Sequence, residues 1–267
     1  MSDCHQQGSP MALMMKTIRR LNDLRLSWRL RRYAIENPLS AQIIQRVREQ
    51  RLSYLKPEAL WDLALAVQEV ERMKLDGAII EAGCALGGSS LVLASSKSKA
   101  RPFLVFDAFG LIPPPSEKDG AEAKKRYELI SGGGAKGLGT GDRYYGYEPD
   151  LYERVNRSFS EFGLETQPNN IQLIKGLYQH TLHLNSACAF AHIDSDWYDS
   201  VMVCLQEIAP RLVPGGRIVV DDYEAWSGCR KAVDEYFEGT NGKQFRFVRK
   251  SRLHIVKRRS VKVESRK

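Results

Sequence analysis

The stretch "GAIIEAGCALGGSS", residues 77–90, decides how the rest of the chain is read. An apolar run through Ile79 and Ile80 ends at Glu81 and gives way to Gly83, Gly87 and Gly88, after which residues 88–97 have the composition of a helix. Such a run bounded by glycines reads as a buried strand, and a glycine turn from strand into helix is the opening unit of a doubly wound sheet. The glycines let the backbone turn tightly and approach a ligand, while the next helix offers free N–H groups. The dinucleotide fingerprint is absent, because Ala85 stands where its second glycine belongs. The pattern Glu-x-Gly-x-x-x-Gly-Gly, with an acid at the strand end, instead suits a ligand whose amino-acid end carries an ammonium group.

Outward from this turn the same alternation continues. Residues 102–109, 171–176, 188–194 and 216–222 read as strands, with helices expected at 149–163, 197–212 and 229–238. Val201, Leu205, Ile208 and Leu212 fall on one helical face, as in a helix that covers a sheet. The pattern predicts an α/β fold: a doubly wound, Rossmann-like, mostly parallel sheet. The last two strands, "QFRFVRK" and "RLHIVKR", are joined by too few residues for a crossover helix, so they must pair antiparallel. Ligands of such sheets bind outside the carboxyl ends of the strands. Asp107 ends the second strand 26 positions after Glu81, where an acid hydrogen-bonds ribose hydroxyls; as a bland alternative it is a turn carboxylate. A nucleoside with a cationic amino-acid end satisfies both loops, and S-adenosylmethionine is such a cofactor.

Composition sets the class. The chain has 267 residues, 43% hydrophobic and 27% charged, which suits one sizeable α/β core. No apolar run approaches the length that spans a bilayer, and "MALMM" is too short for a signal-peptide core. Five scattered cysteines without paired spacing read as reduced thiols, and a cytoplasmic location is expected. The net charge of +8 resides in the two ends: between residues 33 and 248 there are 24 basic and 29 acidic residues. That distribution disfavours nucleic acid as the principal partner. In "TIRRLNDLRLSWRLRRYAI" Ile18, Leu21, Leu24 and Trp28 recur at helical spacing among arginines, which predicts a basic helix packed on its own domain, against a membrane or against another subunit. The expected organisation is a basic helical extension over 1–50, a catalytic domain over 51–260 and a basic tail over 261–267.

The segments "GAIIEAGCALGGSS", "FDAFGLIP", "LIKGLYQHTL", "HIDSDWYDS" and "VVDDYEAWSGCRKAVDEYF" occur in this order, and the chain resembles the macrocin O-methyltransferase (TylF-type) family of class I methyltransferases over roughly residues 50–255. The resemblance implies an enzyme that methylates hydroxyls of sugars in natural products, using S-adenosylmethionine and a divalent metal. It implies a cofactor site at Glu81, Gly83, Gly87, Ser89, Asp107 and the turn Gly176, Leu177 and Tyr178, with Asp194, Asp221 and Asp222 as metal ligands. The proline triplet 113–115 departs from the family's usual pattern.

Chemistry gives a separate reason for the adjacent acids. An alcohol holds its proton too tightly to attack at neutral pH, and a metal lowers that pKa and orients the oxygen. Carboxylate ligands favour a hard octahedral ion, Mg²⁺ first and Mn²⁺ second. Asp194 is assigned to the metal and to catalysis, with Asp196 as the competing ligand or general base. The bland alternatives are that Asp222 caps the following helix and that Asp196 with Asp199 forms a capping pair. His192 reads as a core histidine, and His180 and His183 carry no assignment. Residues 110–148 form a long insertion suited to a lid over a hydroxylated sugar acceptor. An RNA methyltransferase and a catalytically silent cofactor-binding protein are the alternative functions; homo-oligomerisation is expected through the N-terminal helices.

Overall fold

The computed structural model describes residue 28, residues 31–240 and residues 243–259. The chain separates into two compact units, Met1–Gln42 and Ile43–Lys267. In the first unit residues 31–36 are helical, and Arg32 pairs with Glu36 at 2.8 Å on an exposed face. Cys4, most of the arginine-rich stretch and the basic tail lie outside the described residues, and with them the expected membrane or subunit contact of the N-terminal helix.

After α1 (Pro38–Glu49) and α2 (Pro57–Arg72) the chain enters a seven-stranded sheet. Its strands are β1 (Ala78–Ala82), β2 (Phe103–Asp107), β3 (Ile171–Lys175), β4 (Cys188–Ile193), β5 (Leu212–Val220), β6 (Phe245–Arg249) and β7 (Leu253–Lys257), in the spatial order β3-β2-β1-β4-β5-β7-β6. The first five run parallel, and β7 lies antiparallel between β5 and β6, as the short connection demanded. Every residue of β1 and β4 is buried, as expected of strands covered on both faces. Glu81 and His192 therefore sit as ionisable groups within apolar strands, where each needs a partner.

The helices are α3 (Gly88–Ser96), α4 (Ala121–Ser131), α5 (Leu151–Glu161), α6 (Tyr178–Thr181), α7 (Tyr198–Arg211) and α8 (Ser227–Tyr236). Helix α7 buries Val201, Cys204, Leu205 and Ile208, one stripe at helical spacing, and Pro210 in its last turn precedes the passage into β5. Helix α4 falls inside the insertion, which is thus partly ordered rather than a bare loop. The four cysteines among the described residues are all buried and free. No described helix is long and apolar enough to cross a membrane.

Candidate active site at the carboxyl ends of the strands

Strand register brings the motifs together. Ala82 aligns with Ile193, and Ile193 with Val220, so Gly83, Asp194 and Asp221 leave adjacent strands side by side. The ladder extends one bond further at each: Asp194 N–H donates to the Ala82 carbonyl at 2.9 Å, and Asp221 N–H to the Ile193 carbonyl at 2.9 Å. Likewise Gly83 N–H reaches Phe106 O at 2.8 Å, and Gly176 N–H reaches Asp107 O at 2.9 Å. A cavity of about 250 Å³ opens over these ends. It is lined by Gly83, Asp107, Gly176, Leu177 and Tyr178 of the expected cofactor set, and by all four aspartates, Asp194, Asp196, Asp221 and Asp222.

Gly83 has no side-chain alternative. Its φ is +95°, and a Cβ would lie 1.9 Å from the Asp194 carbonyl oxygen. Asp107 is 7% exposed and holds the glycine turn itself: one carboxylate oxygen accepts the N–H groups of Cys84 and Ala85 at 2.7 and 3.0 Å, the other that of Phe109 at 2.6 Å. Burial raises its pKa, and these three donors oppose the rise. Three of a carboxylate's roughly four lone-pair sites are thereby used, leaving about one for a ligand. Glu81, Gly87 and Ser89 do not line the cavity. Glu81 is fully buried, accepting the Ser90 hydroxyl and contacting His192 Nδ1 at 2.9 Å. Ser89 is buried within the first turn of α3, and Gly87 precedes that helix with φ +84°.

The aspartates divide into two kinds. Burial acts on Asp221, yet His192 and Arg252 hold its carboxyl below the usual range; Arg252 Nε lies 2.5 Å from its Oδ1. Asp194 and Asp222 are pushed well up, first by burial and then by the charges of neighbouring aspartates. Asp196 rises to about 6 through burial, opposed by a hydrogen bond from the Trp226 side chain. Asp196 also holds a left-handed backbone, φ 55°, and its N–H donates to Asp222 Oδ2 at 3.3 Å. Strained backbone of this kind clusters at functional sites. Asp194 and Asp221 belong to a group of ligand atoms lying within 4.8 Å of one another, while Asp196 and Asp222 line the cavity outside that group.

His192, read from sequence as a core histidine, is fully buried, and it joins the site from behind. It stands between Glu81 and Asp221, its Nε2 at 3.9 Å from Asp221 Oδ1. His192, Asp194 and Asp221 offer ligand atoms within 4.8 Å of one another. Burial opposes charge on the ring, but Asp221 and Glu81 raise its pKa to about 9. A protonated imidazole has no lone pair to give a metal, so we read His192 as a cation that braces the two acids. Period-two alternation along β4 puts His192 and Asp194 on the same side of the chain, a signal available in the sequence.

The insertion contributes Arg126, Ile130, Tyr144 and Tyr145 to the cavity lining. It is tied down at Asp119, whose Oδ1 accepts the N–H of Tyr198, the first residue of α7, at 2.8 Å. The other oxygen accepts Ser116 N–H at 2.9 Å and Ser116 Oγ at 3.2 Å. Helix α7 makes no side-chain cap of its own at Trp197, so the cap comes from 79 residues upstream rather than from Asp196 or Asp199. Trp197 Nε1–H donates to Pro113 O at 3.0 Å, a second tie between insertion and site loop.

Sheet order and site position define the class I methyltransferase fold. The solved structure of the O-methyltransferase NovP superposes with a TM-score of 0.65 over 78% of this chain and 82% of its own, at 21% identity. Residues 148–244 match the family model described as Macrocin-O-methyltransferase (TylF). This chain is 28% identical over 182 residues to the 8-demethyl-8-(2,3-dimethoxy-alpha-L-rhamnosyl)-tetracenomycin-C 4'-O-methyltransferase of Streptomyces olivaceus, covering 66% of this chain and 63% of the relative. It is 25% identical over 183 residues to the demethyldecarbamoylnovobiocin O-methyltransferase of Streptomyces niveus, covering 66% and 64%. The chain thus spans just under two thirds of the length of these curated relatives.

Proposed function

We propose that the protein is an S-adenosylmethionine-dependent and divalent-metal-dependent O-methyltransferase acting on a hydroxyl of a sugar or glycoside. The observation that carries this is the convergence of Asp194, Asp196, Asp221 and Asp222 on the cavity that also receives the glycine turn and Asp107. The two relatives' names, each an O-methyltransferase and one of them of a rhamnosyl-bearing product, support the acceptor class.

In the chemistry proposed, Asp196 takes the acceptor's hydroxyl proton. The oxygen attacks the cofactor's methyl carbon in line, the S–CH₃ bond breaks, and its electron pair stays on sulfur, giving the thioether product. A divalent ion held by Asp194, Asp221 and Asp222, when bound, supplies Lewis-acid polarisation of that hydroxyl. Trp226 orients Asp196, and Tyr144 and Tyr145 of the insertion exclude water, acting as part of a lid.

Calorimetric titration with S-adenosylmethionine and a methyl-transfer assay on deoxysugar glycosides test the proposal. Asp222→Asn should abolish turnover and weaken Mn²⁺ binding while sparing cofactor affinity. Full activity in that variant or in excess chelator overturns the metal role; no cofactor binding in either condition overturns the methyltransferase assignment.

A further inference from the structure

A second concavity lies at the opposite end of the sheet. Arg217 pairs with Val256 and Val220 with Leu253, so Arg217 and residues 256–259 lie at the end remote from Asp221, roughly 13 Å or more along β5. The groove encloses about 870 Å³. Arg217, Lys243, Arg246, Lys257, Arg258 and Arg259 line it, and Glu69 is the one acid among the lining residues.

Arg217 is 7% exposed, in a strand where an arginine is costly. Its Nη2 donates to Glu69 Oε2 at 2.7 Å, but its Nη1 is buried without a partner. Glu69 is 40% exposed and answers only one side of the guanidinium fork. The hairpin's other cations divide by position. At the active-site end Arg249 faces Glu224 at 3.4 Å, Lys250 faces Asp62 at 3.1 Å and Arg252 faces Asp221 at 2.5 Å. At the far end Arg246, Lys257 and Arg258 form no ion pair among the described residues. Gly215, with φ +89°, lets Arg259 approach the backbone: a Cβ there would meet Arg259 Nε at 2.9 Å.

We propose that this groove binds a phosphate-bearing small molecule of the di- or triphosphate class. A buried guanidinium with free N–H capacity suits a phosphate oxygen, and the surrounding cations are spread over more than one phosphate's width. No aromatic side chain lines the groove, so it lacks the stacking platform that single-stranded nucleic acid uses. Its concave form suits an enclosed anion better than a lipid surface.

The test is calorimetric titration of the full chain, in chelator, with inorganic pyrophosphate and with tripolyphosphate at low and raised salt. Saturable one-to-one binding that weakens with salt is expected, together with at least about a tenfold loss in the exposed double variant Arg246→Glu, Arg258→Glu and no change in its melting temperature. Arg217→Met should show the same loss, and the surface pair keeps the test valid should that variant misfold. Three results overturn the proposal: no saturable binding at low salt, equal affinity in a folded double variant, or an oligonucleotide bound so that excess tripolyphosphate fails to displace it. The last would make the groove a nucleic-acid surface.

Discussion

Replacing Asp119 by alanine removes the one acid that ties the insertion to the site loop. In the structure it accepts the N–H of Tyr198 at 2.8 Å, in a residue that is 4% exposed, and two donors from Ser116. A buried donor left without its acceptor costs about 1–3 kcal/mol, and losing the Ser116 pair adds about 1 kcal/mol. The expected loss is about 3 kcal/mol, which for a domain of this size lowers the melting temperature by about 6–12 °C. Asp119→Asn keeps an acceptor oxygen but removes the charge at the helix N-terminus, for about 1 kcal/mol. The fold should survive both changes, while limited proteolysis between residues 110 and 148 should accelerate in the alanine variant. Differential scanning calorimetry with a protease time course is the assay. A melting temperature within about 1 °C of the parent and an unchanged cleavage pattern would refute the reasoning, since the cap would then be redundant.

Gly83→Ala should disrupt the site as well as stability: a Cβ 1.9 Å from the Asp194 carbonyl forces two strand ends apart, and cofactor titration should show affinity lost by more than tenfold, about 1.4 kcal/mol; wild-type affinity would contradict the register. Glu81→Gln should lower the melting temperature yet leave cofactor affinity within about threefold, because Glu81 faces Ser90 and His192 rather than the cavity; a large affinity loss with unchanged melting would put its carboxylate on the ligand. His192 supplies a pH prediction. Its pKa is raised from 6.5 to about 9, so its contribution is complete below pH 6.5 and is lost as pH rises through 9. The ceiling is roughly 3 kcal/mol. Denaturation in chelator at pH 6 and at pH 9.5 should show that slope in the parent and not in His192→Asn; parallel profiles would remove the charged histidine.

The sheet was legible because its signals are local. Apolar runs of five to seven residues ending in Gly83, Asp107, Gly176, Asp194 and Asp221 state both the strands and the side on which they finish. The antiparallel hairpin followed from the shortness of one connection. What stayed hidden depends on contacts across long separations. Nothing near Tyr198 announces that its cap is Asp119, and composition alone does not show α4 within the insertion. Glu81 and Ser89 illustrate the other limit: a motif fixes which residues surround a turn, whereas burial decides which of them face the cavity and which support it from beneath. The charge reading was coarser than the molecule, because it treated the basic C-terminal end as one block. The structure spends Lys250 and Arg252 on Asp62 and Asp221, and leaves the cations four or more residues on to line a separate groove.

That division explains how two adjacent aspartates are tolerated at the end of β5. Glu81, His192, Asp221 and Arg252 form a line of alternating charge, each acid answered by a neighbouring cation, so Asp221 is stable as a carboxylate without any ligand. Asp222 is placed differently: with Asp194 and Asp196 it makes three acids lining one cavity, and Arg126 is the one cation among the residues lining it. Carboxylates in that position either keep protons, the direction in which burial and the neighbouring acids push Asp194 and Asp222, or receive positive charge from outside. On the proposed function the missing charge has two natural sources, a divalent ion and the sulfonium of the cofactor, which together match three carboxylates. Because both charges draw on the same carboxylates and repel each other, the site is expected to bind each of them less tightly when the other is present. Titrating cofactor with and without Mn²⁺ measures this coupling directly, and equal affinities would show that the two charges do not share the deficit.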